Sequence, residues 1–287
     1  MNNSVQHTRI LKVGEVAYQQ DDLLAVEEPM EIRLGYGPLR VRKQSSISVT
    51  MRTPGHDFEL ALGFLFSEGI IQNYEEVISI RYCRGENQQE AEENIVRIEL
   101  SPDTQVDLQK LQRNFYTTSS CGVCGKASIE ALDTLCTPLA KDDFSVEEKV
   151  IHQAPAKLRK AQLVFNYTGG LHAAGLFNKD GELLLWREDV GRHNALDKLL
   201  GASLAANKIP LKGSFLLLSG RVSFELVQKA LMGGISMIAA VGAPSSLAVQ
   251  LAQQYGITLM GFVRNQQFNI YSNSHRLSIK ENLQVQL

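Results

Sequence analysis

Phe215-Leu-Leu-Leu-Ser-Gly-Arg-Val-Ser223 passes from an apolar run through a turn of small residues into an amphipathic segment, and Ser236 to Ser246 repeats that grammar. From this stretch outward the pattern alternates: strand Phe215 to Leu218, helix Ser223 to Met232, strand Ser236 to Val241, helix Ser245 to Tyr255, strand Thr258 to Val263. A β-α-β-α-β order predicts a parallel sheet covered on both faces. A helix from His193 to Ala206 precedes it, and a last strand, Phe268 to Tyr271, pairs on an edge. Upstream, Gln162 to Tyr167 and Leu171 to Phe177 read as strands, with Asn178-Lys-Asp-Gly181 as the turn into Glu182 to Trp186. The polar stretch ending at Pro155 is assigned no element.

Toward the N-terminus, Met30 to Leu34 and Ser46 to Arg52 alternate apolar and polar residues, with Gly35, Gly37 and Pro38 punctuating the turn of a hairpin. Asp57 to Ile71 predicts a helix with Phe58, Leu62, Leu65 and Phe66 on its core side, weakened or ended by Gly69. Asp57 is read as a favourable negative charge at the helix start. Val77 to Tyr82 and Asn94 to Leu100 are two further strands, so residues 1–115 are expected to form a small α+β domain and 116–287 an α/β domain, joined in the loop from Ser101 to Ser120.

The chain has 287 residues, 44% hydrophobic, enough for one large domain or two ordinary ones. A net charge of -2 with 21% charged residues gives no mark of a non-specific nucleic-acid or membrane binder. Met1 to Gln20 is polar without an apolar core, and no run approaches the roughly 18 apolar residues of a membrane span. A cytoplasmic setting is the expectation. Four cysteines in this length make no disulfide scaffold.

Chemistry concentrates at Thr117-Thr-Ser-Ser-Cys121-Gly-Val-Cys124-Gly-Lys-Ala127. Cys121 and Cys124 precede a helix-like segment, Ala127 to Leu135, and a thiol at a helix N-terminus beside an ammonium has a lowered pKa. A structural zinc site would need two more ligands from Cys83, Cys136 or a histidine, and none forms a second close-spaced pair, so zinc ranks below sulfur or redox chemistry. Between a disulfide oxidoreductase and a carrier of sulfane sulfur the spacing alone does not choose. Cys83 and Cys136 are read as small buried hydrophobes.

In open α/β sheets, ligands bind beyond the carboxyl ends of the strands. Ser219-Gly220-Arg221-Val222-Ser223 and Gly242-Ala243-Pro244-Ser245-Ser246 both fall there, with free N–H groups, hydroxyls and a guanidinium suited to phosphate oxygens. Arg264 emerges at the same edge. Glu188, Asp189, Arg192, His193 and Asp197 follow a strand and open a helix, where an acidic N-terminal turn with Arg192 paired to a carboxylate explains any one of them as well as a functional role does.

Thr118 to Lys126 resembles the signature of the formate dehydrogenase accessory sulfurtransferases, the FdhD family. Glu188-Asp-Val-Gly-Arg-His-Asn-Ala195, Ser219 to Ser223 and Gly242 to Ser246 resemble that family's other motifs, in the same order. The resemblance implies a sulfurtransferase that takes sulfane sulfur from a cysteine desulfurase as a persulfide on Cys121, assisted by Cys124. It implies transfer to the molybdenum bis(molybdopterin guanine dinucleotide) cofactor on behalf of formate dehydrogenase. The family's cofactor-binding stretch falls on Met260-Gly261-Phe262-Val263-Arg264-Asn265, and Ser219, Gly220, Arg221, Gly242, Ser245, Arg192 and His193 join it as candidates. GDP or GMP would mimic the nucleotide arm. A homodimer with no permanent metal is implied, and a non-catalytic cofactor-binding chaperone is the alternative.

The resemblance also implies a cytidine-deaminase-like, three-layer C-terminal domain. Zinc deaminases use His-x-Glu followed by Pro-Cys-x-x-Cys. Here His172 is followed by Ala173 and Ala174, no proline precedes Cys121, and the dithiol comes before the histidine, so the proton shuttle of zinc hydrolysis is missing.

Overall fold

The computed structural model describes residues 4–84, 91–106, 138–139 and 143–279. In chain order its first half contains β1 (Val5–Val13), β2 (Ala17–Ala25), β3 (Glu28–Tyr36), β4 (Lys43–Arg52), α1 (Asp57–Ser67), β5 (Val77–Arg84) and β6 (Ala91–Leu100). Then come β7 (Val146–Glu147), α2 (Glu148–Ala161), α3 (Leu163–Thr168), β8 (His172–Asn178), β9 (Leu183–Asp189) and α4 (Arg192–Ala205). The chain closes through β10 (Ser214–Leu218), α5 (Phe224–Met232), β11 (Met237–Ala240), α6 (Ser246–Gln254), β12 (Thr258–Arg264), β13 (Gln267–Ser272) and β14 (Leu277–Ser278).

Alternation along the central strands sorts the core onto two faces of one six-stranded sheet, ordered β13-β12-β11-β10-β8-β9. Ala174, Leu176, Leu216, Leu218, Ile238 and Leu259 join α4, α5 and α6 on one face, in a core continuous with α1 and with the sheet β4-β3-β6-β5. Ala173, Phe177, Phe215, Leu217, Met237, Ala239 and Met260 face α2, which contributes Val150, Ile151, Ala154 and Leu158. The layers are therefore sheet, helices, sheet, helix.

The two halves meet where α1 crosses α4. A Cβ on Gly63 would lie 1.8 Å from the Asp197 carbonyl oxygen, and one on Gly201 would lie 1.8 Å from that of Glu59, so only glycine permits this approach. Charges buried at the same seam are paired. Lys229 Nζ donates to both Asp197 oxygens at 2.9 Å and to Ser67 Oγ at 2.8 Å. Lys198 lies 2.7 Å from Asp189 and donates to the Thr53 carbonyl at 2.8 Å. Asp57, read as a charge at a helix start, is also the buried partner of Arg52, through bonds of 3.1 and 2.9 Å.

Several expectations need correction. The sheet is mixed: β10, β11 and β12 run parallel, while β8, β9 and β13 pair antiparallel to their neighbours. β13 does form an edge. Gln162 to Tyr167 is not a strand but the start and body of α3; the apolar Leu-Val-Phe run has strand propensity, yet tertiary contacts override it. The Glu188 carboxylate accepts from the Val164 and Phe165 N–H groups, and Gly169 closes the turn at φ +67. The unassigned polar stretch is α2, amphipathic around its buried stripe, with Pro155 inside it. β1 and β2 form an antiparallel hairpin that the polar N-terminal sequence did not announce. α1 ends at Ser67 rather than Ile71, with Gly69 at φ +70 behind it. The expected domain boundary at 115/116 and the helix Ala127 to Leu135 lie outside the described residues.

Candidate functional site

Three loops at the carboxyl edge of β10, β11 and β12 are stitched together by their own backbones. The Gly242 N–H donates to the Gly220 carbonyl at 3.0 Å, Val222 N–H to Ala243 at 3.0 Å, Ser245 N–H to Val222 at 2.9 Å and Phe262 N–H to Gly242 at 3.1 Å. A Cβ at Gly242 would come within 2.8 Å of Arg221 N and the Gly220 carbonyl, so the ladder requires glycine there. Ser219, Gly220, Arg221, Gly242, Ser245 and Phe262 are thus joined at one edge.

Their side chains play different parts. Ser219 Oγ accepts from the Ala173 N–H at 2.8 Å and ties the first loop to β8. Ser245 caps α6, its Oγ accepting from the Ala248 N–H at 3.2 Å. Met260 and Val263 are core side chains, fully buried toward α2. Phe262, Arg264 and Asn265 present the exposed or half-exposed part of that stretch. Phe262 has φ +55 and Asn265 φ +51, and the Arg264 guanidinium sits 5.6 Å from the Phe262 ring centroid. An aromatic residue in the left-handed region is strained, and such strain gathers at ligand sites.

The start of α4 brings Arg192 and His193 to the same edge. Asp189, fully buried, fixes it: its carboxylate accepts from Gly191 N–H at 2.8 Å, Asn194 Nδ2 at 3.0 Å and Thr53 N–H at 3.1 Å, besides pairing with Lys198. His193 Nε2 lies 3.0 Å from Ser223 Oγ and 2.9 Å from Glu225 Oε2, and this hydrogen bond holds the Glu225 carboxyl below its usual range. Arg192 Nε is buried without a hydrogen-bond partner.

The His172 ring lies against Gly220: a Cβ there would be 3.0 Å from His172 Nδ1. Burial first, then the charges of Arg192 and Arg221, depress its pKa. The cluster is thus a neutral imidazole flanked by two guanidiniums, one with a buried unpaired N–H. An anion with several oxygen atoms would complement it chemically.

Cys121 and Cys124 lie outside the described residues. Among the described residues no His, Cys, Asp and Glu group has the arrangement of a metal site. Ser223, read from sequence as a hydroxyl of the first loop, meets His193 instead, while Glu225 was missed, although an acidic residue in the first turn of α5 is a legible helix-start signal. His172 was noticed there without a role.

Fold and edge together define an α/β protein that gathers Arg192, Arg221, His172 and His193 at the loops following its parallel strands. The chain belongs to the FdhD/NarQ family, whose model matches residues 25–278. It is 50% identical over 264 residues to the sulfur carrier protein FdhD of Mycolicibacterium paratuberculosis, covering 91% of this chain and 94% of that one. Similarity to the sulfur carrier protein FdhD of Streptomyces avermitilis is 46% over 285 residues, 98% of each chain, and to that of Saccharolobus solfataricus 42% over 261 residues, 91% of this chain and 93% of the relative. A crystal structure described as a formate dehydrogenase accessory protein from Desulfotalea psychrophila superposes with a TM-score of 0.74 at 24% identity, covering 96% of this chain and all of that one.

Proposed function

We propose that this protein is a sulfurtransferase serving formate dehydrogenase. It accepts sulfane sulfur from a cysteine desulfurase and passes it to the molybdenum bis(molybdopterin guanine dinucleotide) cofactor as substrate. The observation that carries the reading is the cationic edge at Gly220, with its buried unpaired Arg192 Nε, in a chain whose relatives over nearly its full length are named sulfur carriers. The diphosphate of a guanine dinucleotide supplies the acceptor that Arg192 Nε lacks, with the Arg221 guanidinium as a second cation beside it. Arg264 and Phe262 take the adjoining part of the ligand. We read the C-terminal layers as cytidine-deaminase-like, the protein as a cytoplasmic homodimer, and GDP as a mimic of one cofactor arm.

In this reading the Cys121 thiolate attacks the outer sulfur of the desulfurase persulfide. A new S–S bond forms on Cys121, the desulfurase cysteine leaves as thiolate, and no external oxidant or reductant is consumed. Cys124 assists or resolves.

Incubation with a cysteine desulfurase and cysteine, followed by intact and peptide mass spectrometry, tests the step. Reductant-sensitive gain of sulfur mass on the Cys121 peptide, lost in Cys121→Ala, is the expected result. No gain while the desulfurase itself is charged would leave the cofactor-escort alternative, in which the dithiol serves docking or metal binding.

A further inference from the structure

Far from the strand edge, the first two strands stand apart from the rest of the molecule. Among the described residues β1 and β2 pair only with each other, as an antiparallel ribbon outside both larger sheets. The base of the ribbon is fastened. Ser4 is buried, the Val26 N–H donates to the Ser4 carbonyl at 3.0 Å, and β2 rests on α3, the helix that also walls a cavity of about 610 Å³ beside His172. The outer half is bare, since every residue from Leu11 to Gln20 is exposed. An isolated two-stranded ribbon is marginally stable in water, and exposed apolar surface gathered in one place marks a site of association. Alternation sorts its side chains onto two faces. Thr8, Ile10 and Asp22 are half-buried on one face. Arg9, Leu11 and Val13, opposite Asp21, Gln19 and Ala17, are exposed on the other, Leu11 by 63% and Val13 by 74%.

Charge divides the ribbon lengthwise. β1 carries His7, Arg9 and Lys12 and no carboxylate, while β2 carries Asp21 and Asp22 and no cation. We infer that the bare face docks a second copy of this chain, ribbon on ribbon about a two-fold axis along the strands, with β1 of each copy over β2 of the other. That arrangement covers Leu11 and Val13 and sets each Arg9 against Asp21 of the other copy. A two-fold interface must be complementary to itself, and a basic stripe beside an acidic one meets that condition. An anionic lipid surface would be repelled by Glu15, Asp21 and Asp22 on the same ribbon. A different protein would have to bring a matching pair of stripes, which a second copy already carries. The inference rests on the homodimer reading above and assigns it a surface.

Sedimentation analysis of the full chain over a range of concentrations reads the association. Wild type should dimerise, and Val13→Asp, which puts a carboxylate into the covered face, should raise the dimer dissociation constant about tenfold or more. Arg9→Glu and Asp21→Arg should each weaken their own dimer about tenfold, because like charges then face each other, and an equimolar mixture of the two should recover wild-type association. Each of these variants has lost the Arg9–Asp21 pairing within its own ribbon, so mixing restores opposite charges only between chains. All three positions are exposed, so circular dichroism should remain that of wild type, and the mixture keeps the test alive should Val13→Asp disturb the turn. A dimer indifferent to all three variants overturns the ribbon interface and leaves the homodimer reading standing. A mixture that associates no better than its components overturns the placing of β1 over β2. A wild type that stays monomeric at every concentration overturns both the interface and the homodimer, and leaves the bare face to a different protein.

Discussion

The segment from Glu188 to Asp197 looks outward in two directions, and the two sides treat charge in opposite ways. Toward α1, every ion named at the seam has its counter-ion: Asp189 has Lys198, Asp197 has Lys229, and Arg187 forks onto Glu59 at 2.5 and 2.7 Å. Toward the sheet edge, Arg192 Nε is unpaired, and the Glu225 carboxylate is taken by His193. A buried charge survives folding when its partner and its hydrogen bonds are built in. Where they are not, something outside the chain is expected to provide them. A single sequence motif thus divides into a half that assembles the molecule and a half that leaves a buried donor open at the sheet edge.

The strongest way to break the comparison is to attack the seam's backbone. Gly63→Ala places a methyl 1.8 Å from a carbonyl oxygen that no rotamer change can move aside. Overpacking ordinarily costs 1–3 kcal/mol, and this clash with backbone should exceed ~5 kcal/mol, read as loss of cooperative unfolding in a urea melt. A variant melting like wild type would mean that α1 and α4 separate readily. Next in size is Lys229→Met, which strands the Asp197 carboxylate in the core. It should cost about 3–5 kcal/mol, with much of that recovered in the double variant Lys229→Met with Asp197→Leu. Equal destabilisation by the single and double variants would show that the charges do not act as a pair.

The sequence showed the edge better than the seam. Small-residue turns after apolar strands can be read one loop at a time, so Ser219 to Ser223 and Gly242 to Ser246 were legible, as was each helix or strand of the β-α-β-α-β run. The seam depends on residues more than a hundred positions apart, such as Ser67 with Asp197 and Thr53 with Lys198, and no local pattern announces such pairs. Glu188 is the instructive miss. Placed at the start of α3, it helps turn a strand-like sequence into a helix, and with that helix comes the wall of a cavity that was invisible from the chain.

Acid titration sharpens the paired side. Burial alone would raise the Glu59 pKa, but the Arg187 fork and His56 override it and bring it down to about 2, against an ordinary 4.5. A depressed carboxylate stabilises the fold fully above its unfolded value and loses that contribution as pH falls from about 4.5 toward about 2. Because the side chain is a quarter exposed, solvent screening limits the effect to about 1–2 kcal/mol. Glu59→Gln should flatten the acid limb of the stability curve in that window and leave its shape above pH 6 unchanged. An unaltered acid limb would mean that Glu59 titrates normally and the fork contributes nothing.

The smallest stability effect belongs to the unpaired side, at Phe262. Its φ of +55 costs an L-residue roughly 1–3 kcal/mol, and glycine would adopt that conformation freely. Against this, Phe262→Gly gives up a half-buried ring and loosens the unfolded chain, so the net change should stay within about 1 kcal/mol. GDP affinity should nonetheless fall, because the strained backbone aims the ring at the edge beside Arg264. A variant that gains stability while losing ligand shows strain maintained for binding. If GDP binds Phe262→Gly as it binds wild type, the left-handed turn only serves the bulge between β12 and β13, and the ligand surface shrinks to the guanidiniums around Gly220.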